Sequence, residues 1–111
     1  MDRTNNSAKV RALNDAFRAT FVGGHVVMTI GVNALAKEIL AEVIGKVRAF
    51  SAFTADNDPN DEHDFGSFDL GGDKFFWKID YYDTSLEFGS SDPSDPTVTS
   101  RVLTIMRADE Y

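Results

Sequence analysis

The sequence predicts an α+β fold: two helices packed on one face of a mainly antiparallel sheet, in the order α-β-α-β-β-β. Three observations carry this. Residues 7–21 and 34–53 repeat apolar side chains at helical spacing. Residues 74–82 alternate instead with a period of two. Glycine pairs and Asp-Pro steps divide the rest into short pieces.

In the first helix, Val10, Leu13, Phe17 and Phe21 recur on one face, with Ala12 and Ala16 beside them. Ser7 or the preceding asparagines offer an N-cap, and Gly23-Gly24 a stop. His25 to Val32 is short, rich in β-branched residues and interrupted by glycine, which favours a strand. The second helix starts after Asn33, with Ala36, Ile39, Leu40, Val43, Val47 and Phe50 as its buried stripe. Thr54 to Asp64 has neither period and reads as a loop.

Phe65–Leu70 and Lys74–Tyr82 then form a hairpin across Gly71-Gly72-Asp73. Phe75, Trp77, Ile79 and Tyr81 share one face of the longer strand. Residues 83–96 contain two Asp-Pro steps and form a second loop. Ser100 to Met106 is predicted as a strand, the alternative being a helix opening at Pro96.

A chain of 111 residues is expected to make one domain, residues 1–111. It contains no cysteine, which excludes a disulfide framework and thiolate metal sites. No run reaches the roughly 18 apolar residues of a membrane span, and the polar opening Met1-Asp2-Arg3-Thr4-Asn5-Asn6 is unlike a signal peptide. A cytoplasmic location without membrane association is the expectation.

The net charge of −7 is unevenly spread. Residues 1–53 hold seven Lys/Arg against four Asp/Glu, a net +3. Residues 54–95 hold two against twelve, a net −10, and residues 96–111 balance. Such a segment repels phosphates, so direct nucleic-acid binding is not expected, and a basic protein is the natural counterpart.

Motifs with chemistry are few. Asp56, Asp58 and Asn60 alternate as at the start of an EF-hand loop. Asp61 stands where that loop needs glycine, and Ser67 where it needs glutamate, so the calcium motif is broken. Glu62-His63-Asp64 places an imidazole between carboxylates, a pattern open to general-base or metal chemistry. The other histidine, His25, stands at no metal-binding spacing from it. No metal site and no cofactor are therefore predicted. The aromatic strand is embedded in acidic sequence, where Lys74 and Lys78 are too few to accompany base stacking, and core packing accounts for one of its faces.

Asp58-Pro59, Glu62-His63-Asp64-Phe65-Gly66, Trp77-Lys78-Ile79-Asp80-Tyr81-Tyr82-Asp83, Arg101-Val102-Leu103-Thr104-Ile105-Met106 and Glu110-Tyr111, together with Ala12 to Phe17 and the segment GGHVVMTIGV, resemble a family of short bacterial proteins known only as a domain of unknown function. The resemblance implies an alphaproteobacterial setting, often plasmids and other mobile elements. It carries over no catalytic roles.

The expectation is a non-enzymatic acidic module that binds a basic protein through Asp56, Asp58, Asp61, Glu62, Asp64, Asp83, Glu87, Asp92 and Asp95. Its sharpest form is a DNA-mimicking inhibitor, of anti-CRISPR or anti-restriction type, that blocks a nucleic-acid-handling enzyme or defence complex. The alternative is a small hydrolase or metal-dependent enzyme built on Glu62, His63 and Asp64, with His25 or Asp80 as further candidates. Exposed strand edges and aromatics are compatible with a homodimer.

Overall fold

The computed structural model describes residues 3–111, with side chains from Asn6 onward. Helix α1 (Arg3–Thr20) leads into strand β1 (His25–Met28), a single helical turn α2 (Ile30–Asn33) and helix α3 (Lys37–Arg48). Strands β2 (Phe65–Leu70), β3 (Asp73–Tyr82) and β4 (Ser100–Arg107) follow, and a 3-10 turn, Ala108–Glu110, comes after β4. The four strands form one sheet in the order β1-β4-β3-β2.

The alternation read in Lys74–Tyr82 is the alternation observed. Phe75, Trp77 and Ile79 are buried. They share the covered face with Leu103 and Ile105 of β4, and Phe17, Val32, Val43 and Val47 pack onto them from the helices. Phe76, Lys78 and Asp80 point to the opposite face, which no helix covers among the described residues. There Phe65, Phe76 and Tyr111 meet edge to face or tilted, with centroids 5.4–6.3 Å apart. The hairpin turns on Gly71 and Gly72, both at positive φ (61° and 86°), a conformation costly for other residues. On β2, Gly66 lets the Trp77 indole approach, since a Cβ there would press on that ring and lie 2.9 Å from Phe50.

The structure corrects the predicted architecture at several points. The sheet is mixed, because β1 runs parallel to β4, pairing His25 with Val102 and Met28 with Ile105. The first strand ends at Met28: Thr29 still donates its amide to Ile105 of β4 (3.1 Å) but turns its hydroxyl to the Glu110 carboxylate, which also accepts the Gly31 amide at the start of α2. The second helix does not run from Ala34 to Phe53. Ala36 is extended (φ −56°, ψ 145°) and separates α2 from α3, which ends at Arg48. Of its predicted stripe, Val43 and Val47 are fully buried, Leu40 and Phe50 partly, and Ile39 is 40% exposed. Ser7 lies inside α1 and caps nothing, and the stop is Phe21 in the left-handed region (φ 61°), ahead of the glycines. Ser100–Arg107 is a strand, which removes the helical alternative at Pro96.

Candidate functional site: the Asp58–His63 loop and the first helix

The loop after α3 is folded by its own side chains. Asn57 Oδ1 accepts from the Thr54 amide (2.9 Å), and the Asp58 amide donates to the Thr54 carbonyl (2.9 Å). Asp58 is the keystone: its side chain is 3% exposed, and its Oδ1 accepts from the amides of Glu62 (3.0 Å) and His63 (3.1 Å). Those bonds hold Asp61 and His63 at positive φ (56° and 55°), a region that Asp and His enter more readily than most residues. Glu62 and His63 are thereby turned to different partners.

His63 faces α1. Its ring stacks on Phe53, with centroids 3.7 Å apart and planes 2° from parallel. Nδ1 is 2.8 Å from Asp15 Oδ1, while Nε2 is 3.6 Å from Asp58 Oδ2 and 4.0 Å from Asp61 Oδ1. Arg11 bonds the other Asp61 oxygen at 2.6 Å. The ring borders a cleft of about 420 Å³ lined by Phe53, Thr54, Ala55, Asp58, Pro59, Asp61 and His63.

Glu62 joins a different network. Tyr81 donates its phenol proton to Glu62 Oε1 (3.0 Å). Asn14 Nδ2 donates to the Tyr81 oxygen (2.8 Å) and to the Glu62 carbonyl (3.0 Å), and Arg101 Nε donates to Asn14 Oδ1 (2.8 Å). Burial, aided by the charges of Glu62 and Asp64, pushes the Tyr81 phenol well above its ordinary range, so it serves as a donor. Asn14 and Arg101 are buried, as is Arg18, whose guanidinium lies 5.0 Å from the Trp77 centroid and 5.5 Å from that of Phe53. Burial also lowers the pKa of both arginines, yet both stay charged.

Asp64 is half-buried, and its pKa is raised first by burial and then by Glu62, with Asp58 and Asp80 adding to it. A raised carboxyl pKa means the fold prefers the protonated form. The associated stability is fully present below the unfolded value and is lost as pH rises through the folded one. Asp64→Asn is therefore expected to raise the melting temperature at neutral pH and to lose that advantage at about pH 3, below the ordinary carboxylate range. Thermal melts of both proteins across this range check it.

The remaining predicted residues are scattered in role. Asp83 accepts from Ser85 (2.8 Å), Asp92 from Ser94 (2.6 Å) and Asp95 from Thr97 (2.7 Å), so these aspartates shape the second loop. The same local bonds hold Asp83 and Asp95 below the usual carboxylate range. Asp56 and Glu87 are exposed and make no side-chain hydrogen bond among the described residues. Asp80 pairs with Lys78 at 2.9 Å, and exposed His25 sits at the start of edge strand β1, so neither joins His63.

The sequence reading missed Asn14, Asp15, Arg18 and Arg101. A signal existed for two of them: positions 10, 14, 17, 18 and 21 form one helical stripe, which places Asn14 and Arg18 among Val10, Phe17 and Phe21. Polar residues on an apolar stripe point to a buried network.

Fold and site together define a two-layer α+β protein with a helix-braced acidic loop. Its family follows from the comparisons: over residues 28–110 the chain matches the family described as Protein of unknown function (DUF3768), and it belongs to that family. The matched span contains Asp58, Asp61, His63, Tyr81 and Arg101, whereas α1 precedes it. No curated protein and no solved structure matches the chain. Among the described residues, no helix is long and apolar enough to cross a membrane.

Proposed function

We propose that the protein is a non-enzymatic binding module that presents a shaped acidic surface to a basic protein. The observation that supports this is the convergence of the two acidic loops. Glu62 of the first and Ser91, Asp92, Pro93 and Ser94 of the second line one cleft over the first turns of α1. Glu62 and Asp92, from loops separated by a whole hairpin, thus border the same cleft, on backbones fixed by Asp58, Asp92 and Asp95. A rigid array of this kind favours fast, salt-sensitive association with a positive surface. The sharpest form of the reading is a mobile-element inhibitor of anti-CRISPR or anti-restriction type, occupying the nucleic-acid channel of a defence enzyme.

The accessible charge of the two loops rests on Asp56, Asp61, Glu87 and Oδ2 of Asp92, because Asp58 is sealed inside the loop. The test is competition. Purified nucleases and guide-RNA defence complexes are challenged with the protein at low and high salt, and displacement of their nucleic acid is measured. Displacement is expected to weaken with salt and to fall at least about tenfold in the triple variant Asp56→Asn, Asp61→Asn, Glu87→Gln (~1.4 kcal/mol). Displacement indifferent to both would sink the electrostatic reading.

A further inference from the structure

We propose that Asp58, Asp61 and His63 form a binding site for one divalent transition-metal ion of zinc type. The sequence predicted no metal, because neither the EF-hand pattern nor a second histidine was in place. The folded loop brings the set together by another route, Asp-x-x-Asp-x-His, and all three donor atoms lie within 4.8 Å of one another.

Three features separate this set from an ordinary acidic cluster. The first is the gap at His63 Nε2. At 3.6 Å from Asp58 Oδ2 it is too long for a hydrogen bond. It matches the spacing of about 3–4 Å between two donors that share an ion at 2.0–2.2 Å. The Asp61 Oδ1 distance, 4.0 Å, falls in the same range.

The second is Asp58 itself. Its side chain is 3% exposed, and both hydrogen bonds it accepts go to Oδ1. Oδ2 accepts none among the described residues and is aimed at Nε2. The side chain is almost wholly withdrawn from water yet keeps one oxygen without a hydrogen-bond donor among those residues, a position suited to a cation.

The third is the far side of the imidazole. Asp15 lies 2.8 Å from Nδ1 and accepts its proton, so in the neutral imidazole Nε2 carries its lone pair toward the two carboxylates. A carboxylate behind a ligating histidine is the usual support for such a ligand. Phe53, stacked on the ring, keeps the imidazole in that plane.

Each carboxylate offers one oxygen and has the other engaged: Oδ1 of Asp58 by backbone amides, Oδ2 of Asp61 by Arg11. One nitrogen and two oxygens leave at least one coordination position open toward the 420 Å³ cleft, where water would complete the sphere. An imidazole donor selects zinc-like ions over calcium and magnesium, which prefer oxygen-only sites. The inference shares Asp61 with the binding reading and is separated from it by His63, on which the acidic surface does not depend.

The test is titration of the metal-free full chain with zinc by calorimetry, with the His63 imidazole resonances followed by NMR. One saturable equivalent and a shift of the His63 ring signals are expected, with calcium and magnesium at least about tenfold weaker. Asp58→Asn keeps the Oδ1 acceptor that folds the loop but removes the ligand oxygen, and His63→Asn tolerates the left-handed φ. Both are expected to abolish the site while circular dichroism stays unchanged. Asp15→Asn should weaken zinc about 10–100-fold without removing it, and His25→Ala should change nothing. Absence of saturable zinc binding overturns the proposal, as does zinc that binds without moving the His63 resonances or that depends on His25. If either ligand variant fails to fold, the NMR result on the unaltered chain decides.

Discussion

Arg18→Met is expected to destabilise the protein by about 3 kcal/mol, although it replaces a charged residue with an apolar one of similar length. Arg18 NH1 donates to the carbonyls of Val47 (3.0 Å) and Phe50 (2.9 Å), with Arg48 at 3.4 Å. Carbonyls at the end of a helix have no partner within it. The guanidinium supplies one to Arg48 and a second donor to Val47, whose carbonyl also accepts from the Phe50 amide (3.3 Å), and its charge suits that end of the helix dipole. Charged hydrogen bonds contribute about 1.5–3 kcal/mol each, and a desolvated cation over aromatic rings about 2 kcal/mol. Against these stand the desolvation of the guanidinium and its Nε, which is buried without a partner. The bonds outnumber the orphan, so the net favours arginine.

Methionine retains the stem packing, so the loss isolates the polar contacts. Urea unfolding should show a lower midpoint at unchanged slope, and the melting temperature should fall by at least about 10 °C. Arg18→Lys should recover only part of this, because one ammonium cannot reproduce the planar fork. A change below about 1 kcal/mol for Arg18→Met would mean that water or neighbouring donors satisfy those carbonyls equally well.

Local pattern carried the hairpin and missed the register of the sheet, for physical reasons. In β3 every second residue enters the core, so KFFWKIDYY declares a strand, its buried face and nearly its ends without reference to the rest of the chain. The pairing of β1 with β4 joins Val26 to Leu103 across most of the chain, and four residues of HVVM contain nothing that selects a parallel neighbour. The break at Ala36 is likewise silent, since alanine is a good helix former and the helical period continues past it. At the site, Glu62-His63-Asp64 drew attention through composition, but the partner that orients His63 is Asp15 in another element. Charge counting treated the acidic residues as one population. The fold divides them into Asp58, sealed in and shaping a loop, Asp92 and Asp95, turning the second one, and Asp56 and Glu87, free in solvent.

Arg101→Met is expected to cost about 2–3 kcal/mol and, unlike Arg18→Met, to act on the acidic surface directly. Arg101 lies at the centre of three elements. It donates through Nε to Asn14 of α1, through NH2 to the Pro93 carbonyl of the second acidic loop, and stands 5.3 Å over the Tyr81 ring of β3. Its loss leaves Asn14 Oδ1 buried without a donor, a penalty of about 1–3 kcal/mol, besides the two charged bonds. Asn14→Leu alone should be similarly harmful, since it strands the guanidinium and frees the Tyr81 phenol. The double variant should cost clearly less than the sum of the two, because neither polar group is then left unpaired.

A sum without coupling would remove the network argument. The loop provides a second readout. With the Pro93 anchor gone, hydrogen exchange at Ser91, Ser94 and Thr97 should accelerate while the β3 and β4 amides lose only the global amount. The same variant also tests the proposed binding role: it leaves every acidic side chain in place, while the second loop loses its anchor to the core. If the acidic loops bind as one rigid array, Arg101→Met weakens partner binding through the ordering that association must now supply. If they bind as independent charges, its affinity equals that of the unaltered protein.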